Sequence, residues 1–185
     1  MKHSLVSNSK FLSLVLRHKP EEIGLYLDNN GWACIEELID KAKVKGISIS
    51  QEELLEIVEQ NDKKRFNVSS DGKRIRANQG HSIAIELNLE ETVPPDILYH
   101  GTASLFLDSI LKDGLVKKRR QHVHFSLNID TAVAVGQRHG KPIVLKIDSK
   151  KMHDNGAKFY RSENSVWLTD YVGPEYIEVI KDTPD

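Results

Sequence analysis

Apolar positions near the start of the chain recur at helical spacing. Phe11, Leu12, Val15 and Leu16 share one face, with Ser7 or Ser9 as N-cap candidates and Pro20 as the stop. IGLYLDNNGW then alternates as a short strand does, with Asn29-Asn30-Gly31 as a turn before Trp32. IEELIDKAKVKG predicts a second helix ending near Gly46. SQEELLEIVEQ predicts a third, opened by Ser50 with Glu53 three residues later, the spacing of a capping box. KRFNVSSDGKRIRAN reads as a hairpin whose Asp71-Gly72 suits a tight turn with positive φ.

The pattern changes after GHSIAIELNLEETVPPD, a segment with Gly80 at one end and Pro94-Pro95 at the other. ILYHGT ends a strand in a small-residue turn, and SLFLDSILKDG is a helix capped by Ser104 and closed by Gly114. HVHFS is a strand and NIDTAVAVGQRHG a helix. PIVLKID, AKFYRS, SVWLTD and EYIEVI complete a strand-rich half. The expected class is α+β: a winged-helix lobe over residues 1–90, then a lobe over 91–185 with a mostly antiparallel or mixed sheet. Winged helices often bind nucleic acid, but fold alone does not assign that function.

Charge alters this picture locally, not globally. Lys plus Arg number 26 against 27 Asp plus Glu, so net charge predicts no polyanion partner. The cations are clumped, in KAKVK (41–45), KKR (63–65), KRIR (73–76) and KKRR (117–120), which suits contact with a few phosphates. Cys34 is the only cysteine, so neither an intrachain disulfide nor a thiolate cluster is available. No apolar run reaches membrane-span length and MKHSLVSNSK has no signal-type apolar region, so a cytoplasmic protein is expected. A monomer is expected as well.

Arg17-His18-Lys19, at the end of the first helix, is the first candidate for chemistry. The bland reading is complementation of the helix dipole. Yet successive residues point about 100° apart around a helix, so three cations converge only on something beyond its end. A phosphate there needs side-chain charge, which Arg17 supplies bidentately, while His18 adds a donor or moves a proton. On the hairpin, alternation places Lys63 and Arg65 on one face and Lys64 on the other, the bland alternative being a solvated edge that discourages strand pairing. Arg119 and Arg120 precede a strand on which His122 and His124 share a face, and His100-Gly101-Thr102 would leave amides and a hydroxyl free for a ligand. No carboxylate spacing accompanies these histidines, so no metal is expected. Walker A, dinucleotide-type glycine and paired-cysteine zinc signatures are absent from the sequence.

In order, SKFLSLVLRHKPEEIGLYLDNNGW, NDKKRFNVSSDGKRIRANQGHS, YHGTASLFLDSILKDGL, RQHVHFS and ENSVWLTDYVGPEYIEV resemble the motifs of the tRNA 2'-phosphotransferase family, from about Ser9 to Val179. The resemblance implies a winged-helix RNA lobe joined to an ADP-ribosyltransferase lobe, with NAD consumed as a co-substrate. It implies two-step removal of an internal 2'-phosphate from RNA of the tRNA splice-junction type. The first step forms an ADP-ribosylated RNA phosphate and nicotinamide, the second 2'-hydroxyl RNA and ADP-ribose 1'',2''-cyclic phosphate. The family's basic tetrad would fall on Arg17, His18, Arg65 and Arg120, the last chosen over Arg119 because RQHVHFS aligns from it. Lys63 is a possible auxiliary. NAD would be bound by His100, Gly101, Thr102, His124, Ser126 and Val166, the last standing where protein-modifying ADP-ribosyltransferases commonly carry a Glu. A phosphomonoester is largely dianionic near neutral pH and needs positioning more than deprotonation.

Three other readings use the same residues. His100-Gly101-Thr102 and His124-Phe125-Ser126 also match the His-x-Thr/Ser elements of two-histidine RNA phosphoesterases, which need no NAD. A nucleic-acid binder with an inert second lobe, and an ADP-ribosyltransferase that stops after capping a nucleic-acid phosphate, are the others.

Overall fold

The computed structural model of the protein describes residues 3–61 and 63–180. The chain forms two compact units, Met1–Asn88 and Leu89–Asp185. Both mix helices with antiparallel sheets, so the α+β class holds, with six α-helices among the described residues.

The first unit contains α1 (His3–Arg17), β1 (Ala33–Cys34), α2 (Ile35–Val44), α3 (Gln51–Glu59), β2 (Phe66–Val68) and β3 (Arg74–Ala77). Leu12, Val15 and Leu16 of α1 are fully buried, as their spacing predicts, and pack with Leu38 of α2, Leu54 and Ile57 of α3, and Phe66 and Ile75 of the hairpin. Ser50 caps α3 as expected: its hydroxyl accepts from the Glu53 amide while the Glu53 carboxylate accepts from the Ser50 amide. The sheet order is β1-β3-β2, antiparallel throughout.

Two local expectations fail between the start of α1 and β1. The helix already runs at His3, so Ser7 and Ser9 are interior positions rather than caps. Residues 23–32 form no strand. Their backbone bonds locally instead, with Leu25 N–H donating to Pro20 O, and the Asp28 carboxylate accepting from the Asn30 and Trp32 amides at 2.9 Å each. A side chain that captures nearby amides offers the backbone an alternative to a ladder.

The second unit contains β4 (Ile97–Ala103), α4 (Leu107–Asp113), β5 (Leu115–Val116), β6 (Val123–Phe125), α5 (Ile129–Gly136), β7 (Pro142–Asp148), α6 (Ser149–Asp154), β8 (Phe159–Arg161), β9 (Trp167–Thr169), β10 (Tyr171–Val172) and β11 (Ile177–Ile180). Two three-stranded antiparallel sheets, β11-β7-β4 and β6-β9-β8, carry its core, with Leu98, Leu145, Ile147 and Phe159 fully buried. An isolated bridge between Tyr99 and Ser126 joins β4 to the end of β6, so the two sheets meet there. Ser104 does not cap α4. It opens a short 3-10 turn, Ser104–Phe106, ahead of the helix, while Gly114 ends α4 at φ +81° as expected.

The most consequential correction concerns His100-Gly101-Thr102. These residues do not form a turn; they lie inside β4, paired with Leu145, Val144 and Ile143 of β7. Gly101 is required by packing. A Cβ there would stand 1.8 Å from the Ala132 carbonyl oxygen of α5. The converse holds on the helix, where a Cβ on Gly136 would stand 2.5 Å from Thr102 O. Two glycines thus let α5 lie directly on β4.

Candidate functional site

The predicted residues fall into two clusters, one in each unit. In the first, α1 ends at Arg17, and the His18 and Lys19 amides still donate to Leu14 O at 3.0 and 2.9 Å. The chain leaving β3 returns as a polar strap, residues 78–82, across this helix end. Ser82 N–H donates to Arg17 O at 2.9 Å, and Ser82 Oγ bonds His18 Nδ1 at 2.9 Å. At the other end of the strap Asn78 N–H donates to Arg65 O at 2.9 Å and Asn78 Nδ2 to Lys64 O at 2.7 Å. The same Arg65 carbonyl accepts from the Arg17 guanidinium at 3.4 Å, and Arg17 lies 5.9 Å from the Phe66 ring. The Arg65 guanidinium donates to Asn61 Oδ1 at 3.2 Å. Arg65 is thus brought to Arg17 and His18, nearly fifty residues away in sequence, by one strap.

Lys63 joins them, but not as the strand expectation had it. β2 begins only at Phe66, and Lys64 sits at φ +40° in a turn bonded to Asn61. Lys63, Arg65, His18 and Asn61 line one cavity of about 540 Å³ in the first unit. The other hairpin cations lie elsewhere: Arg74 and Arg76 stand 5.5 and 4.6 Å from the Trp32 ring, and Arg74 pairs with Asp28 at 3.7 Å.

The sequence reading missed His81. Its side chain is 1% exposed, and neither ring nitrogen has a hydrogen-bond partner among the described residues. Burial, then the charges of Arg17, His18 and Arg76, lower its pKa to about 4. A neutral ring wedged beside Arg17 adds no charge repulsion to the cation cluster. The only signal available was the polar run NQGHS after an apolar-alternating strand.

In the second unit the pairing of Tyr99 with Ser126 sets His100 beside the end of β6. His100 Nδ1 lies 2.9 Å from His124 O, and His124 Nδ1 lies 3.0 Å from His122 O. A carbonyl only accepts, so both rings carry their proton on Nδ1 and present Nε2 as a lone pair. His124 Nε2 is buried with no partner among the described residues. Burial, followed by the charge of Arg120, lowers the His124 pKa to about 3; burial also lowers that of His100, against the hydrogen bond to His124 O. Both rings are neutral near pH 7. Arg120, placed electrostatically beside both histidines, is itself shifted down by desolvation and then by Arg138.

Thr102 is buried two residues beyond His100 on β4. Val166 ends a tight loop in which its amide donates to Ser162 Oγ at 3.1 Å and Ser162 N–H donates to Val166 O at 3.0 Å. Continuing the β6–β9 register one step past Phe125↔Trp167 sets Val166 opposite Ser126. His100, His124 and Ser126 therefore gather where the two sheets meet, with Arg120 beside the two rings, while Thr102 lies two residues further along β4 and Val166 one register step beyond β9. An unpartnered, neutral Nε2 acceptor suits a hydroxyl donor, the group a ribose offers. Among the described residues no group of three His, Cys, Asp or Glu could hold a metal ion, and no helix is long and apolar enough to cross a membrane.

Known proteins resemble this chain along both units. The chain is 58% identical over 172 residues to a probable RNA 2'-phosphotransferase of Flavobacterium johnsoniae, covering 93% of this chain and 94% of the relative. It is 54% identical over 176 residues to a probable RNA 2'-phosphotransferase of Acaryochloris marina, covering 95% and 97%. A protein of the same description from Hahella chejuensis is 53% identical over 184 residues, covering 100% and 99%. The model of one family matches residues 3–171, and the chain belongs to that family: RNA 2'-phosphotransferase, Tpt1 / KptA.

Proposed function

We propose that this protein is an NAD-dependent RNA 2'-phosphotransferase, with a winged-helix RNA lobe over residues 1–90 and an ADP-ribosyltransferase-like lobe over 91–185. The observation that carries the reading is the assembly of Arg17, His18 and Arg65 on one strap, beside a cavity with no acidic residue among its described lining. Such a set holds a phosphate dianion by charge and by directed N–H donors. The family match over nearly the whole chain supports the same substrate.

NAD, as a consumed co-substrate, supplies an electrophilic ribose carbon with nicotinamide as its leaving group. The fit to it rests on His124, whose Nε2 would accept from a ribose hydroxyl, with His100 beside it, Ser126 two residues on, Thr102 further along β4, and Gly101 keeping β4 against α5. Val166 is aliphatic, so its position supplies no carboxylate. None is needed, because the attacking phosphate oxygen is already ionised. Arg17 and Arg65 hold the phosphoryl oxygens, with Lys63 assisting, and would stabilise charge as the second step transfers the phosphoryl group to the neighbouring ribose hydroxyl, while Arg120 is the cation beside His100 and His124 in the second unit. His18 takes the proton from that hydroxyl and returns it to the departing RNA 2'-oxygen, restoring the 2'-hydroxyl. With His100 and His124 both shifted down by burial, neither ring is the protonated general acid that a two-histidine phosphoesterase needs, which disfavours that reading.

Product analysis tests this. A 2'-phosphorylated RNA oligonucleotide incubated with the protein is expected to lose its 2'-phosphate only when NAD is present, with release of nicotinamide and a cyclic phosphorylated ADP-ribose. Turnover without NAD refutes it. His18→Ala is expected to accumulate ADP-ribosylated RNA; an equal fall in both steps removes His18 from the proton-transfer role.

A further inference from the structure

The cavity that takes in His18, Lys63 and Arg65 does not end with them. Its lining continues along α1 through Leu14, Ser13, Lys10, Ser9 and Val6. Val6, Lys10, Leu14 and His18 recur every four residues and so form one row along the helix; Ser9 and Ser13 form the adjoining row, which leads to Arg17. At about 1.5 Å per residue the row is about 18 Å long, several times the ~3.4 Å phosphate spacing of a stacked strand.

Two features of this row exceed what the fold requires. Val6 and Leu14 are 42% and 38% exposed, on a helix whose core face already buries Leu5, Leu12, Val15 and Leu16. The whole of α1 lacks Asp and Glu, as does the described lining of the cavity, although the chain as a whole is nearly neutral. A cationic and hydroxyl edge thus borders an exposed apolar floor. Single-stranded nucleic acid presents the complementary pair: phosphates for the edge and base faces for the floor. A volume of about 540 Å³ lies within the range of small-molecule sites and accommodates a nucleotide.

We propose that this groove is the subsite for the single-stranded RNA running away from the 2'-phosphorylated ribose. Lys10, Ser9 and Ser13 hold its backbone phosphates, and Leu14 and Val6 receive the faces of unstacked bases. The proposal rests on the reading of His18 and Arg65 as the 2'-phosphate site and extends it along the strand. Contact with base faces rather than base edges makes the subsite tolerant of sequence, and it favours substrates with an unpaired flank.

Two measurements on the full chain test it. The first is binding of an oligoribonucleotide without any 2'-phosphate, followed across a salt titration. Lys10→Ala is expected to weaken binding and to lower the slope of log K against log salt by about 0.7, the single-strand value for one phosphate contact. Leu14→Ser is expected to weaken binding with the slope unchanged, and Lys10→Arg to retain the wild-type slope. The second compares a 2'-phosphorylated dinucleotide with an oligonucleotide extended by several unpaired nucleotides. The wild-type advantage in KM for the longer substrate is expected to shrink about tenfold in Lys10→Glu. The proposal is overturned if the wild type shows no salt-dependent RNA binding, as for a groove that docks a protein. It is also overturned if the variants match the wild type, or if they lose both substrates equally. Failure of the 2'-phosphate reading shows itself separately: the wild type then leaves the 2'-phosphate in place whatever Lys10 does to RNA binding.

Discussion

Replacing Gly101 by Ala tests whether the His-Gly-Thr segment is built for a ligand or for the fold. The added methyl would stand 1.8 Å from Ala132 O, 2.6 Å from its carbonyl carbon and 3.1 Å from its Cα. All three are main-chain atoms of α5, so no rotamer change relieves the clash. Restoring an ordinary contact of 3.4 Å requires α5 to retreat from β4 by about 1.6 Å. Overpacking costs about 1–3 kcal/mol when side chains can give way. With a helix backbone as the obstacle the upper end applies, about 3 kcal/mol. At about 2–4 °C per kcal/mol for a chain of this size, the melting temperature is expected to fall by about 6–12 °C. Calorimetry or thermal circular dichroism reads the shift directly. The retreat of α5 also displaces the strand carrying His100 and Thr102, so NAD binding is expected to weaken alongside. A melting temperature within about 1 °C of wild type, with NAD binding lost, would refute the packing argument. Gly101 would then exist for the ligand.

Two further outcomes follow from the strap. His81, buried with a pKa near 4 against 6.5 when exposed, binds fewer protons folded than unfolded between those values, so its contribution to stability is complete above about pH 6.5 and is lost as pH falls toward 4. Denaturation at pH 7 and pH 5 is therefore expected to show His81→Leu losing less stability on acidification than the wild type, by on the order of 2 kcal/mol; parallel losses exclude this site as the cause. Ser82→Ala removes the 2.9 Å partner of His18 Nδ1, a bond worth about 1 kcal/mol, and is expected to lower kcat about fivefold with KM for RNA little changed. Nitrogen NMR of the His18 ring should report an altered tautomer balance, and an unchanged spectrum and kcat would remove Ser82 from any positioning role.

Much of the fold can be read from one dimension because its signals are local. The buried face of α1, the Ser50–Glu53 capping box and the Asp71-Gly72 hairpin each depend on residues within a turn or two of one another. The cation candidates were visible in the same way, since Arg17-His18 follows an amphipathic helix and Arg65 precedes a hairpin strand. What the pattern misassigned was decided at longer range. Residues 23–32 alternate like a strand, yet Asp28 and the turn after Pro20 capture their amides. His100-Gly101-Thr102 has a turn's composition, yet β7 pairs with it and α5 requires its glycine.

By itself the sequence determined the α+β class, the identity of most helices and strands, and which residue types could meet a phosphate or a ribose. Only tertiary structure decided that Arg17, His18 and Arg65 share one strap, that His81 is buried beside them, and that His124 keeps a bare Nε2. Periodicity reports which face of an element is apolar. Partnership across 48 or 64 residues, as between Arg17 and Arg65 or His18 and Ser82, is fixed by packing that no local window contains.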